Sequence, residues 1–468
     1  MRAIENPKVQ RLARIATSLL WWGVLVFFVR SVVHTRDANP DHLLALATLG
    51  YLAGWGPYLL FSRRSPAGKS IRLAACTTSV VLAFGLIELP AVLRLVDYRS
   101  VFHTPTPPWR RTGNQPDPDL LYVREPNQRL RVQFQGSDLH RLEGASASKV
   151  YRCDTRLDGR GFRNAADLDS ARVVIVGDSF VEGLQAADDE LISSQLAKAL
   201  SVPTANLGRT GYGPQQELEV LRRHGLPLGP RACVWTFYEG NDLQDVESYE
   251  ASRDRVRKLR PESPTRDWFG RSFVRNGAAY LIRQGTHEPT IPARRQAGDF
   301  RDASGRTTEI YFSCGVHEGD ADRVSSRAGS PALKQFQAIL TEACALCRAQ
   351  GVDLIVAFVP AKFRVYRDLC QFDPDSPCRG WPVDDLPSAV ERAVRASGDD
   401  VGFLDLTPAF HARAAEGELV YLADDTHWSA EGHRIAALAV ADFLKRRDAA
   451  KTALAGADRD HFPPASDF

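Results

Sequence analysis

The stretch ARVVIVGDSFVEG, residues 171–183, joins an apolar run to a polar turn. An apolar run that ends at Val176 is typical of a strand buried on both faces of a parallel sheet. Gly177, Asp178 and Ser179 follow directly, so the serine is predicted to lie at the carboxyl end of the strand, where active sites of open α/β sheets form. On its own, this turn is better explained as a polar cap of the next helix. A catalytic interpretation therefore depends on the rest of the chain.

Strand-like and helical patterns alternate along most of the chain. This alternation predicts an α/β fold, a three-layer sandwich with a central parallel sheet and helices on both faces. The predicted strands are 172–176, 203–207, 233–238, 352–359 and 401–406, and the predicted helices are about 185–200, 213–224, 332–350, 384–396 and 429–446.

The composition also predicts the domain boundaries. We expect the sheet domain to occupy residues 151–446, with an insertion rich in Arg and Asp at about 245–330. Residues 98–150 are rich in Pro, Arg and Gln, and we interpret them as a linker that wraps onto the domain. Residues 447–468 are predicted to be a disordered tail.

Polar motifs follow three further predicted strands. They are NLGRTGYG at 206–213, YEGND at 238–242 and DDTHW at 424–428. Because the carboxyl ends of parallel strands meet at one edge of a sheet, these motifs and Ser179 are expected to lie close together.

This ordered set of motifs resembles that of the SGNH/GDSL hydrolase superfamily over about residues 150–446. GDSF matches its first block, the second glycine of NLGRTG its second, GND its third and the late D-x-x-H its last. The resemblance implies an SGNH-hydrolase, flavodoxin-like fold. It also implies a serine esterase or a related O-acyltransferase, such as the alginate-type O-acetyltransferases.

The resemblance assigns roles to individual residues. It implies that Ser179 is the nucleophile, His427 the base and Asp424 the carboxylate that holds the imidazole. Asp425 remains an alternative, because some related acetyltransferases use a D-x-H spacing. The backbone N–H groups of Ser179 and Gly211 and the side-chain amide of Asn241 are the implied oxyanion donors.

These residue types suit acyl transfer. A serine hydroxyl needs a base that titrates near neutrality, which a histidine provides. A carboxylate must hold the other imidazole nitrogen in the correct tautomer. This chemistry requires no cofactor, and no metal-ligand spacing is evident among the acidic and histidine residues at 424–433.

More than one interpretation is open for three further residues. Lys362 follows the fourth predicted strand in a P-x-K pattern also found in the alginate-type O-acetyltransferases. It is interpreted either as a substrate contact or as a solvated surface lysine. Trp428 is either a sugar-stacking residue or a core residue, and His433 is more consistent with packing than with catalysis.

Three apolar stretches, residues 15–34, 43–61 and 73–96, precede the sheet domain. Each has about the length needed to cross a bilayer as a helix, so residues 1–97 are predicted to form a three-helix transmembrane anchor. Glu88 lies inside the third stretch and requires burial against other helices. Basic residues concentrate before the first stretch and after the second, which predicts a cytoplasmic N-terminus and an extracytoplasmic catalytic domain.

Three hypotheses for the function follow from these patterns. The first is an extracytoplasmic esterase that removes acyl groups from a cell-envelope glycan or another acylated substrate. The second is an O-acyltransferase that modifies an exopolysaccharide or cell-wall polymer with the help of a membrane acyltransferase partner. The third is an inactive binding scaffold. The net charge of +2 gives no indication of nucleic-acid binding.

Cysteine positions give one further expectation. Cys370 and Cys378 bracket a short polar loop, and in an oxidising compartment they are predicted to form a disulfide.

Overall fold

The computed structural model describes residues 22, 50, 51, 55, 58, 59, 62–111, 113–139, 142–145, 149–259, 264–285, 291–312 and 327–460. The first predicted span, 15–34, and the second, 43–61, lie outside the described residues apart from the isolated positions.

Strands and helices alternate along the described part of the chain. The strands are β1 (Asn114–Asp117), β2 (Leu121–Arg124), β3 (Arg129–Gln135), β4 (Leu142–Glu143), β5 (Val150–Arg156), β6 (Val173–Gly177), β7 (Thr204–Gly208), β8 (Ala232–Tyr238), β9 (Ile291–Pro292), β10 (Ala297–Arg301), β11 (Thr307–Tyr311), β12 (Asp353–Val359), β13 (Cys370–Phe372) and β14 (Gly402–Asp405). The α-helices are α1 (Pro66–Val92), α2 (Tyr98–Val101), α3 (Ser179–Glu182), α4 (Ile192–Leu200), α5 (Pro214–Val220), α6 (Asp242–Arg257), α7 (Pro264–Arg271), α8 (Phe273–Gly285), α9 (Pro331–Ala349), α10 (Lys362–Tyr366), α11 (Leu386–Ser397), α12 (Thr407–Ala415) and α13 (Ala430–Asp460).

The central sheet is parallel and has the order β14-β12-β8-β6-β7 within the described residues. Numbered along the chain, this is the order 2-1-3-4-5 that is found in flavodoxin-like folds. The prediction of an α/β fold with a central parallel sheet is confirmed. In this topology, the strand order reverses between β6 and β8, and ligands bind beyond the carboxyl ends of these two strands.

Both faces of the sheet are covered, because successive strand residues point to opposite sides. On β6, Val174 and Val176 pack into one core cluster, whereas Val173 and Ile175 pack into the other. The sheet is therefore the middle layer of three.

The predicted linker, 98–150, is instead largely structured. In this part of the chain, β1 pairs with β2, and β3 pairs with β5 over seven residue pairs, both antiparallel. Side chains on β5 alternate between buried and exposed. Residues 114–156, which we call the arm, belong to the same compact unit as the sheet.

The chain divides into two compact units, and each is described by itself. The sheet unit comprises Pro108–Leu259 and Pro289–Phe468, and the other unit comprises Met1–Pro107 and Arg260–Glu288. The predicted insertion, 245–330, is therefore split between the two units. The predicted disordered tail, 447–468, is helical as far as the end of α13, and residues 461–468 lie outside the described residues.

Helix α1 corresponds to the third predicted span. Its most apolar window of 18 residues, within Ala67–Val92, has a mean hydropathy of 1.8, and none of that window is buried. Among the described residues, it is the one helix that is long and apolar enough to cross a bilayer.

The predicted disulfide is wrong, because the thiols of Cys370 and Cys378 are not joined. Cys370 lies on β13, which pairs with β10, and Cys378 lies in a short helical turn beyond the loop. The short spacing in sequence therefore does not bring the two sulfurs into a bond.

Candidate active site

Ser179 is the first residue of helix α3, directly beyond the carboxyl end of β6. Asp178 caps this helix, since its side chain accepts a hydrogen bond from the N–H of Phe180 (2.9 Å). The N–H of Ser179 is one of the N-terminal helix donors that have no partner within the helix. The local sequence thus places a hydroxyl and a free donor at the same point.

A continuous hydrogen-bonded chain connects Ser179, His427 and Asp425. His427 Nε2 lies 2.8 Å from Ser179 Oγ, and His427 Nδ1 lies 2.6 Å from Asp425 Oδ1. The ring of Phe180 packs against the imidazole, with 5.0 Å between the ring centroids. The structure therefore brings together the serine and histidine that the sequence predicted.

Asp424 does not contact the imidazole, which corrects the prediction that it holds His427. Its carboxylate instead accepts hydrogen bonds from the N–H of Lys149 (2.8 Å) and from the hydroxyl of Tyr151. Asp425 Oδ1 accepts from the N–H of His427 (3.0 Å), two residues along the chain. This Asx turn directs Asp425 towards the ring and leaves Asp424 pointing to the arm.

The charges of the pair stabilise each other. Burial raises the pKa of Asp425, but the hydrogen bond to His427, the positive charge of His427 and the N–H of Ser137 outweigh it and lower the pKa below its usual value. Burial lowers the pKa of His427, but the hydrogen bond and negative charge of Asp425 outweigh it and raise the pKa above its usual value. Asp425 thus remains ionised while His427 accepts a proton.

Lys362 is not a solvated surface residue, so that interpretation is wrong. Its side chain is fully buried, and Nζ donates to Asp138 Oδ2 (2.6 Å). It also donates to the carbonyl oxygens of Leu422 (3.1 Å) and Asp425 (3.1 Å). These hydrogen bonds from Lys362 therefore hold the loop that carries Asp425 and His427 in place.

The arm also forms hydrogen bonds with the loop that carries Asp425 and His427. The N–H of Ser137 donates to Asp425 Oδ2 (2.9 Å). A Cβ atom added at Gly136 would overlap the carbonyl oxygen of Asp424, so a glycine is needed for this close approach. The segment predicted as a linker thus contributes directly to the placement of Asp425.

The loop of Gly211 is held by a buried carboxylate. Glu182, at the end of α3, accepts hydrogen bonds from Thr210 N (2.9 Å) and Thr210 Oγ1 (2.5 Å). It also forms ion pairs with Arg209 (3.0 Å) and with Arg124 of the arm (2.7 Å). Gly211 has a φ of +77°, which a glycine adopts without strain, and its N–H has no partner among the described residues.

Asn241, the third predicted oxyanion donor, lies at the N-terminus of α6, directly beyond β8. Its Nδ2 donates to Asp245 Oδ2 (2.8 Å), one turn along the helix, and this bond orients the amide. A Cβ atom added at Gly213 would lie 2.5 Å from the Cβ of Asp245, so the loop after β7 lies against this helix.

Several buried carboxyl groups surround these donors. Burial raises the pKa of Asp178 to about 6, and burial and the charge of Asp178 raise that of Asp245 to about 7. Burial also raises the pKa values of Glu217 and Asp242 well above their usual values. None of the four is paired with a basic side chain in the described part of the chain. Burial therefore makes all four carboxyl groups weaker acids than usual.

Three more residues complete the surroundings of His427. Gln185, which the sequence analysis missed, has Nε2 at 2.8 Å from His427 Nδ1, and no spacing rule marks it. Trp428 is buried between Phe180 and His433, which supports the core interpretation. His433 is also buried, and burial and the charge of Arg163 lower its pKa to about 3, so it remains neutral.

Among the described residues, no group of three or more His, Cys, Asp or Glu side chains is arranged to hold a metal ion.

Comparisons with known proteins agree with these motifs. Residues 319–462 match the family model described as SGNH hydrolase-like domain, acetyltransferase AlgX, which confirms the resemblance to the SGNH/GDSL superfamily. No curated protein matches the chain significantly.

The solved structures that resemble this chain include lipases and acyl esterases, and their sequence identity to it is low. They include a GDSL-like lipase from Bacteroides thetaiotaomicron (14% identity, 59% of this chain and 88% of that chain, TM-score 0.29). They also include a mutant of Axe2, an acetyl-xylooligosaccharide esterase from Geobacillus (12%, 58% and 94%, 0.30), and a lipase/acylhydrolase from Enterococcus faecalis (12%, 59% and 96%, 0.30).

Proposed function

We propose that this chain, which carries an SGNH hydrolase-like domain and is an SGNH-type serine esterase or acetyltransferase, transfers acyl groups to hydroxyl acceptors through an ester on Ser179. The observation that carries the proposal is the hydrogen-bonded chain from Ser179 through His427 to Asp425. This arrangement argues against an inactive scaffold, because a binding protein has no need of an aligned nucleophile, base and carboxylate.

The first half of the reaction forms the acyl-enzyme. His427 Nε2 takes the proton of Ser179 Oγ as the oxygen attacks the acyl carbonyl carbon. Negative charge then develops on the carbonyl oxygen, where the N–H groups of Ser179 and Gly211 and the amide of Asn241 donate to it. The intermediate collapses when the bond to the leaving alcohol breaks, and His427 returns the proton to that alcohol.

The second half reverses these roles. An acceptor hydroxyl or a water molecule loses its proton to His427 and attacks the carbonyl carbon of acyl-Ser179. The ester bond to Ser179 Oγ then breaks, and His427 gives the proton back to Ser179. The two outcomes, transfer and hydrolysis, differ only in the molecule that occupies the acceptor position.

Two observations favour transfer over hydrolysis. The carboxylate that holds His427 is Asp425, and its D-x-H spacing is the one used by related acetyltransferases. The matching family model is also that of an acetyltransferase. An esterase acting on an acylated carbohydrate is the alternative, because the same groups activate water equally well.

The proposed acceptor is a hydroxyl of an extracellular or cell-envelope carbohydrate. A transferase located outside the cytoplasm has no direct access to cytoplasmic acyl donors. We therefore propose a membrane acyltransferase as the partner that supplies the acyl group.

Product analysis separates transfer from hydrolysis. The purified full-length protein is incubated with an activated acetyl ester, with and without oligosaccharide acceptors, and the products are analysed by mass spectrometry. We expect acetylated oligosaccharide, and acetyl attached to the peptide that contains Ser179. Free acetate alone, at the same rate with and without acceptor, would establish the esterase alternative.

Two serine variants control this experiment. Ser179→Ala should abolish both the acetyl-peptide and the product. Ser248→Ala, at an exposed position on α6, should change neither. Full activity of Ser179→Ala would contradict the acyl-enzyme mechanism.

We also propose that the sheet unit lies outside the cytoplasm and that the N-terminus lies inside. The apolar helix α1 supports this orientation, together with Arg63 and Arg64, which precede it, and Lys69 in its first turn. A C-terminal alkaline phosphatase fusion should be active in cells, and a cytoplasmic reporter at the same position should be inactive. The reverse result would overturn the topology.

A further inference from the structure

Glu88, inside the apolar helix α1, is bound by the N-terminus of helix α8 from the insertion. Its Oε1 accepts from Ser272 Oγ (2.8 Å) and from the N–H of Val274 (2.8 Å). Ser272 also accepts from the N–H of Arg275 (3.1 Å), so it caps α8 while donating to Glu88. A carboxylate at a helix N-terminus is stabilised by the unpaired N–H groups and the helix dipole. These bonds compensate for the cost of an acidic residue in this apolar helix.

One face of α8 packs against the segment that follows α1. The ring of Phe273 lies 5.2 Å from that of Tyr98 and 5.3 Å from that of Phe102. Arg283 donates to the carbonyl oxygens of Phe102 (2.6 Å) and His103 (2.8 Å). Helix α8 is therefore fixed to the chain near the C-terminal end of α1 at both of its own ends.

Another face of α8 remains exposed and apolar. Leu281 has 70% of its surface exposed, and Val274 and Ala278 are partly exposed. Val274, Ala278 and Leu281 recur at the i, i+4 and i+7 spacing of a single helix stripe. Arg275 and Arg283 lie off this stripe, so the helix is amphipathic, with basic residues beside its apolar face.

Exposed apolar side chains are strongly concentrated in this unit. Among the described residues, nearly all the large exposed apolar side chains lie on α1, on the segment that follows it or on α8. Within the described part of the sheet unit, the large apolar side chains that are exposed are those of Val150 and Leu438. Soluble surfaces rarely carry so large a continuous set. The sheet unit thus has an ordinary solvated surface, whereas this unit does not.

We infer that helices α7 and α8 form an interfacial membrane element, in which the exposed face of α8 contacts the lipid bilayer beside the outer end of α1. The occupant of this face is lipid because α8 is joined by Glu88 to a helix with bilayer-spanning length and hydropathy. Trp268, Tyr98 and Tyr280 supply the aromatic residues that favour the membrane interface, and basic residues flank the apolar stripe as in in-plane amphipathic helices.

This arrangement deepens the proposed membrane location and rests on it. The chain passes between the two units near residues 107, 259 and 288, so the sheet unit is joined to the membrane-associated unit by three chain connections.

Lipid photolabelling tests the inference with the full-length chain. The protein is reconstituted in vesicles of phosphatidylcholine and phosphatidylglycerol that carry a diazirine on an acyl chain, irradiated and digested with trypsin. The sequence yields separate peptides 276–283, which contains Leu281, 73–94 from α1, and 435–445, which contains Leu438. Leu438 is 44% exposed on the sheet unit and is the matched control.

We expect lipid adducts on peptides 276–283 and 73–94 and none on 435–445. Adducts on 73–94 without adducts on 276–283 would overturn the inference and leave the membrane location intact. The absence of adducts from both peptides would overturn the membrane location as well.

A pair of variants at Glu88 tests the connection itself. Glu88→Ala removes both acceptor interactions, so amide hydrogen exchange at residues 273–277 should accelerate and adducts on 276–283 should decrease. Glu88→Gln keeps an acceptor oxygen and should retain most of the protection and the adducts. Unchanged exchange in Glu88→Ala would show that Glu88 does not hold α8.

Discussion

Replacing Asp425 with asparagine is expected to reduce turnover by about 10⁴-fold, the scale seen when a triad carboxylate is lost in serine proteases. Asp425 Oδ1 accepts from His427 Nδ1 at 2.6 Å, and this bond leaves Nε2 unprotonated and directed at Ser179. An asparagine amide can present its N–H₂ to Nδ1 and stabilise the wrong tautomer. Steady-state kinetics with an activated acetyl ester measure the change in kcat.

Asp424→Asn is the matched control, since the two residues are adjacent and both are buried. Asp424 contacts Lys149 and Tyr151 rather than the imidazole, so its loss should affect mainly the packing of the arm. We expect kcat within about tenfold of the wild type and a decrease of roughly 1–3 kcal/mol in the free energy of unfolding. A severe loss of turnover in Asp424→Asn, together with a mild effect of Asp425→Asn, would show that Asp424 is the catalytic carboxylate.

The pH profile gives a second measure of the same contact. His427 acts as a base only when it is neutral, so activity should fall as the pH decreases through its pKa. Asp425 raises this pKa above the usual value of about 6.5. The residual activity of Asp425→Asn should therefore have its acid limb at lower pH than the wild type, whereas Asp424→Asn should keep the wild-type limb.

The sheet was predictable because buried parallel strands have a simple signature. Each of the five predicted runs overlaps a strand of the sheet, with ends that differ by about one residue, as for 172–176 and Val173–Gly177. Strands covered on both faces must be apolar throughout, and the run is visible without any tertiary information. The arm was missed because its strands carry exposed polar residues on one side and so lack a continuous apolar run, although Tyr151, Cys153 and Thr155 show the two-residue alternation of a half-buried strand.

The choice between Asp424 and Asp425 depended on backbone geometry that motif spacing does not specify. Both D-x-x-H and D-x-H are present in DDTHW, and both carboxylates follow the same turn. The deciding feature is the Asx turn between Asp425 and the N–H of His427, which is a local pattern and was available in principle. The contact between Asp424 and Tyr151 could not be predicted from local sequence, because the two residues are 273 positions apart.

Lys362 illustrates a different limit, because its burial depends on a partner remote in sequence. A lysine after a strand is usually solvated, and Lys residues are almost never fully buried unless they are paired. Here the partner is Asp138 of the arm, 224 residues away. Because the arm was interpreted as a linker, the sequence gave no reason to pair Lys362 with an acidic residue there. Lys362 was therefore interpreted as a surface residue or a substrate contact.

Lys362→Met is expected to destabilise the sheet unit by about 3–5 kcal/mol, because it leaves the buried carboxylate of Asp138 without its cation. It also removes the donor to the carbonyl oxygens of Leu422 and Asp425, so the loop of His427 should be less well held and turnover should decrease. Thermal unfolding of the full chain and kcat of the folded fraction measure the two effects. In contrast, a substrate-contact role predicts a raised KM with an unchanged unfolding midpoint.

The double variant Lys362→Met, Asp138→Asn distinguishes the charge pair from the loop support. Removing both charges eliminates the unpaired buried carboxylate, so much of the lost stability should return, and the double-mutant cycle should show a large coupling energy. Turnover should recover less than stability, because Leu422 and Asp425 still lack the donor that Lys362 provided. If the two losses were instead additive, Lys362 and Asp138 would not act as a pair, and the support of the catalytic loop by this buried ion pair would be disproved.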